Sequence, residues 1–240
     1  MDNFSFNHEE PRIVNPDASG LNAFFRKVYS FMGMALLVTA ASSFLGVTVF
    51  AKQVIALTTG LVPSLIMFAL LMGIGVMAAR ATMSNPGRAF GLLMAYSVLM
   101  GVFLTTLFMM MNLQTIFAAF ITTAALFGGM ATYGLVTRRD MTKMSSLLFG
   151  SVIALVVGGL INLFFFNSIV YLAISVIGVV VFALMTAYDM NKLKQMYYQV
   201  AGQQTAEQGV AVYGALTLYL DFINLFIYIL RLFGIFGNQD

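Results

Sequence analysis

The sequence predicts an all-α membrane protein with seven transmembrane helices, on three observations. Hydrophobic residues make up 60% of the 240 residues and charged residues only 9%, with a mean hydropathy of +0.92, whereas a soluble domain carries about 25% charged residues. The charges fall in short gaps between apolar intervals at least as long as the roughly 20 residues a helix needs to cross the hydrocarbon core. The short alternating segments of a membrane β-barrel are missing.

The elements follow in order. Residues 1–27 are polar, with Asp2, Glu9, Glu10, Arg12 and Asp17. They lack the basic start, short apolar core and small-residue cleavage site of a removable signal, so they read as a cytosolic tail. Span 1 is expected over 28–51, ended by Lys52 and Gln53, and span 2 over 57–79, ended by Arg80 and the turn-forming Ser84-Asn85-Pro86-Gly87. Ala89 to Thr137 holds 49 residues without a charge, too long for one crossing. The polar Asn112-Leu113-Gln114 divides it into spans 3 and 4, 89–111 and 115–137. Asn167-Ser168 likewise separates span 5, 144–166, from span 6, 169–198, which has no Pro or Gly after Asp189 to stop it. Span 7 is 209–231, in a membrane domain over 28–237 that leaves a short C-terminus, 238–240.

Lysine and arginine set the orientation. With the N-terminus inside, Arg12, Arg26, Lys27, Arg80, Arg88, Arg138, Arg139, Lys143, Lys192 and Lys194 are cytosolic, and only Lys52 and Arg231 are outside. The C-terminus is then outside. The net charge of +3 is accounted for by this bias, so it gives no reason to expect a nucleic-acid partner. Small residues at helical spacing, Gly150, Ala154 and Gly158 and again Ala125 and Gly129, are expected at helix packing faces.

Asp221 interrupts the otherwise uncharged Gly209 to Leu230. A carboxylate there must be paired, protonated or facing water, which makes it a functional candidate. Asp189 is the other acid attached to a span. If spans 6 and 7 are antiparallel neighbours joined by a loop around 201–208, each aspartate lies about 15 to 18 Å from that loop and the two share a depth. Two carboxylates in a low dielectric do not easily both ionise, so the pair would share a proton and act as a proton sensor or relay. The ordinary alternative makes Asp189 a boundary residue beside Lys192 and Lys194. Arg80 could reach either aspartate and latch span 2 to spans 6 and 7, or it could simply snorkel to headgroups.

Enzyme chemistry finds little support. Cysteine is absent and the single histidine, His8, is in the polar tail, so thiolate sites, His-based metal sites and Ser-His triads cannot be assembled, and no cofactor is expected. A di-aspartyl intramembrane protease would use two such acids. Tyr188-Asp189 matches the first signature of those proteases, but Leu218-Tyr219-Leu220 before Asp221 does not match their Gly-x-Gly-Asp. A proton-coupled transporter should show an internal repeat and broken helices, and only Pro63 interrupts a span.

The run Leu218-Tyr219-Leu220-Asp221-Phe222-Ile223-Asn224-Leu225-Phe226, followed by Leu230-Arg231-Leu232-Phe233-Gly234 and preceded upstream by Thr186-Ala187-Tyr188-Asp189, resembles the Bax inhibitor-1 (transmembrane Bax inhibitor motif) family. The likeness is to its bacterial inner-membrane branch, of the YbhL, YccA and YetJ type. It implies a seventh helix enclosed by the other six, a pH-sensitive calcium leak, a di-aspartyl pH sensor at Asp189 and Asp221, and an arginine latch matched by Arg80. On that basis the shared proton holds spans 6 and 7 together. Its loss adds repulsion, loosens the latch and offers Asp189 and Asp221 as transient calcium ligands. The family also implies a rival role, a non-conducting regulator that binds a membrane protease or a stress or cell-death partner.

Overall fold

In hydrocarbon every backbone N–H and C=O must find its partner within the chain, and this sequence meets the demand with helices. The computed structural model describes residues 18–137, 139, 141–165 and 167–237. The stretch 1–17 of the expected tail, Arg138 and the expected outer C-terminus 238–240 lie outside the described residues. Among those described are α1 (Ala18–Thr48), α2 (Ala51–Thr58), α3 (Leu61–Ala81), α4 (Pro86–Met109), α5 (Leu113–Val136), α6 (Ser145–Phe165), α7 (Ser168–Val200) and α8 (Gln204–Gly237). All but α2 are long and apolar enough to cross a membrane, seven spans in total.

Three of the expected turns are helix starts capped by asparagine. Asn85 accepts from the Arg88 N–H at 2.9 Å with Pro86 in the first turn, and Asn112 accepts from the Thr115 N–H at 2.7 Å. Asn167 accepts from the N–H groups of Ile169 at 2.9 Å and Val170 at 3.1 Å. Each side chain satisfies donors that the first turn of a helix leaves unpaired.

Three boundaries differ from expectation. Helix α1 begins at Ala18, inside the stretch read as tail, because Phe24, Phe25 and Val28 form a buried stripe while Arg26 and Lys27 face outward. The Phe24 ring packs 4.9 Å from that of Tyr197 near the end of α7. At the other end of α1, Lys52 and Gln53 belong to the separate short helix α2. The connection between α7 and α8 spans only 201–203, turning at Gly202 with φ +84°, so α8 starts at Gln204 and runs through Glu207 and Arg231.

Helix α8 is the axis of the bundle. Its spanning stretch is 78% buried, against 11% to 39% for the other six spans. Leu216, Leu218, Tyr219, Leu225 and Leu230 are enclosed on all sides, with α7, α5 and α1 as the main neighbours. Helix α6 sits outermost and joins the bundle chiefly through α7.

Of the expected stripes, Gly158 faces Ile174 of α7, a Cβ there standing 3.4 Å from it, but the tightest helix approaches fall at other glycines. Nothing lies within 4 Å of where a Cβ would stand on Gly129 or Gly150, so those positions are open. A Cβ on Gly134 of α5 would instead collide with the Ala187 carbonyl of α7, and one on Gly101 of α4 with the Thr39 carbonyl of α1. Sequence spacing shows which small residues share a face of a helix, but only the bundle decides which face meets a neighbour.

Candidate functional site

Helices α7 and α8 run antiparallel from the tight turn at 201–203, and this pairing brings Asp189 and Asp221 together at the centre of the protein. Asp189 is 6% exposed and Asp221 3%. Their carboxyl groups lie within hydrogen-bonding reach of each other. A hydrogen bond between two carboxyls needs one proton between them. Asp221 Oδ2 is fully enclosed and has no hydrogen-bond partner. A buried oxygen left in that condition is costly, and it marks a site where a proton, water or cation would find an acceptor.

Helix α7 is held at this depth by α5. Asn191 donates from Nδ2 to the Gly134 carbonyl at 3.3 Å, and Lys194 donates from Nζ to the Leu135 carbonyl at 2.9 Å. These side chains pair carbonyls that the last turn of α5 leaves free. The absent side chain of Gly134 lets α7 approach closely enough for both bonds, just beside Ala187 and Asp189.

One turn from Asp189 the same seam carries Lys192. Its Nζ donates to the Tyr213 hydroxyl of α8 at 3.3 Å and lies 5.6 Å from the centre of the Tyr213 ring and 6.0 Å from that of Tyr188. Lys192 is the cationic group that acts on Asp189. In the sequence it counts only as one more cytosolic lysine. Its place three residues after Asp189 on a continuing helix is the signal that points inward.

Arg80 is not brought to the pair. It is exposed in the last turn of α3, with no ion pair to either aspartate among the described residues. The end of α3 meets the beginning of α8, where the Thr82 carbonyl closes on Gly209. Gly209 precedes Asp221 by 221 − 209 = 12 residues, about 18 Å along a helix, which is beyond the reach of an arginine. Among the described residues there is also no cluster of three or more acidic, histidine or cysteine side chains that would hold a resident metal. The acid pair offers two carboxyls and no more.

The opposite face of α8 carries a polar cluster that the sequence did not signal. Thr39 of α1 shares a 2.7 Å hydrogen bond with the Tyr219 hydroxyl, and Thr39 also donates to the carbonyls of Ala35 at 3.0 Å and Ser97 of α4 at 3.1 Å. The Tyr96 ring meets that of Tyr219 edge-on at 6.0 Å. These hydroxyls tie α8 to α1 and α4, and each has its partner.

Comparison with known proteins agrees with this architecture. Residues 21–238 match the family model described as inhibitor of apoptosis-promoting Bax1. The inner membrane protein YbhL of Escherichia coli K12 is 35% identical over 223 residues, covering 92% of this chain and 95% of that protein. YrjE of Lactococcus lactis is 36% identical over 230 residues, covering 95% and 97%, and RP147 of Rickettsia prowazekii is 36% identical over 222 residues, covering 90% of each. With seven apolar spans and a family match over nearly its whole length, the chain is an integral membrane protein that belongs to the Bax inhibitor-1 family.

Proposed function

We propose that this protein is a proton-controlled cation leak, with calcium as the transported ion, residing in an inner membrane as its Escherichia coli relative is named to do. The observation that carries the reading is the acid pair: two buried carboxyls from antiparallel neighbouring spans, within hydrogen-bonding reach of each other at the bundle centre, with one oxygen unpartnered. Acids at this depth are expensive, and a purely structural role would favour apolar packing of the same volume. A single proton between Asp189 and Asp221 ties α7 to α8. Removing it places two like charges in contact and leaves carboxylate oxygens, the ligand type that calcium prefers. In this conformation a latch by Arg80 takes no part in the seam, so the proton bond itself is the proposed tie.

Calcium flux in liposomes, followed against pH for the wild type and Asp221→Asn, tests the reading. The amide keeps a hydrogen bond to Asp189 and removes the shared titration, so the pH dependence of the flux should flatten. A pH profile identical to the wild type would sink the proposal.

The family description names a regulatory role towards another protein, which supports a second reading: a non-conducting regulator whose partner is a membrane protease or a stress protein. Wild-type protein that passes no cation in pure liposomes at any pH would favour it.

A further inference from the structure

The acid pair shares its seam with a cation. Lys192 stands three residues after Asp189 on α7, so its backbone lies one turn, roughly 5 Å, farther along the helix. Its ammonium is bonded to a neutral group, the Tyr213 hydroxyl, beside the rings of Tyr213 and Tyr188, and meets the Asp189 charge only through space. A hydroxyl and two rings hold an ammonium less firmly than a carboxylate does. Among the described residues no salt bridge ties Lys192 to any acid, while Asp189, one turn back on the same helix, is close enough to feel its charge.

The other charges of the region are committed or remote. Lys194 is bonded to the Leu135 carbonyl of α5, Glu207 is in the first turn of α8, and Arg80 is at the far end of the Gly209 contact. Arg231 lies ten residues beyond Asp221, with its guanidinium between the rings of Tyr171 and Tyr228.

We infer that Lys192 is a tethered competitor for the acid pair, parked on Tyr213 one turn from Asp189 and able to take the place that a passing divalent cation occupies. This rests on the cation-leak reading above and adds what sets the strength of cation binding there. An internal ammonium that must be displaced weakens binding of an external ion, which favours release over retention. Tyr213 acts in the opposite sense, because a good parking place keeps the ammonium off the carboxyls.

The test uses the full-length chain. Half-saturating calcium is measured in two ways at the pH of greatest wild-type flux: as liposome flux, and as the calcium-dependent rise in melting temperature of detergent-solubilised protein, which needs no conduction. Lys192→Met removes the competitor and keeps the apolar stem, and should lower half-saturating calcium about tenfold, since a unit charge a few ångströms from the site is worth at least that. Tyr213→Phe removes the parking hydroxyl and should raise it a few-fold, roughly the worth of one charge-assisted hydrogen bond. The double variant should resemble Lys192→Met, and Lys192→Arg, which keeps the charge, should stay close to the wild type.

A merely structural Lys192–Tyr213 bond predicts instead that both single variants shift the calcium response in the same direction, and that outcome overturns the inference, as does a Lys192→Met response equal to the wild type. If the wild type passes no calcium yet Lys192→Met still shows tighter binding by melting temperature, the leak reading falls and the tethered competitor stands.

Discussion

Tyr219 and Asp221 are two residues apart on α8, so they point about 200° apart around the same helix at nearly the same depth. Both are buried and both are polar, yet their surroundings differ. The Tyr219 hydroxyl meets Thr39, whose own donor is absorbed by the carbonyls of Ala35 and Ser97. Asp221 meets another acid, and its second oxygen meets nothing. The hydroxyl side is complete as it stands, with uncharged groups that lose little by leaving water once paired. The acid side is complete only with a proton, and it therefore has two states where the hydroxyl side has one. On the proposed reading, that difference separates a structural face of α8 from a controlling one.

The comparison can be broken most severely at Gly134, which sets the distance between α5 and α7 behind the acid pair. In Gly134→Val the new side chain overlaps the Ala187 carbonyl, so α7 must move outward. Overpacking a close contact costs about 3 kcal/mol. A large loss of melting temperature and of monodisperse protein in size-exclusion chromatography is expected, and a wild-type melting curve would contradict the close approach.

A smaller effect is expected on the hydroxyl face. Thr39→Val keeps the shape and removes the hydroxyl that pairs Tyr219, at a cost of about 1 kcal/mol, or about 3 °C in melting temperature. If this face is structural only, the pH profile of cation flux should be unchanged. A shifted profile would mean that the two faces of α8 are coupled.

Arg80 should matter least. Arg80 is exposed, and the nearby end of α3 meets α8 at Gly209, about 18 Å along the helix from Asp221, so Arg80→Gln should leave both melting temperature and the pH profile of flux within experimental error. A flattened profile would restore the latch, and would require α3 to cross the end of the bundle in a conformation different from this one.

Several features are legible in the sequence. The asparagines that read as interruptions, Asn85, Asn112 and Asn167, are the caps that start α4, α5 and α7, because the same short polar side chain that ends an apolar run satisfies first-turn donors. Asp221 stands out because a lone carboxylate in an apolar span has so few acceptable environments. The start of α1 was obscured because Arg26 and Lys27 interrupt the apolar run, although they occupy the outer side of a helix whose Phe24, Phe25 and Val28 are buried. Counting charges along the chain cannot separate two faces of one helix.

The sequence by itself determined the number of spans, their caps and the candidacy of the two aspartates, since these depend on local composition and on the cost of charge in hydrocarbon. Only the tertiary structure decided who meets whom. It set Asp189 against Asp221, put Lys192 on Tyr213, withdrew Arg80 to the far end of the bundle, and selected Gly134 rather than Gly129 as a point of contact. The physical reason is that partners across helices depend on rotation and crossing of whole helices, which arise from packing over the entire interface and leave no signature in the spacing of any one segment.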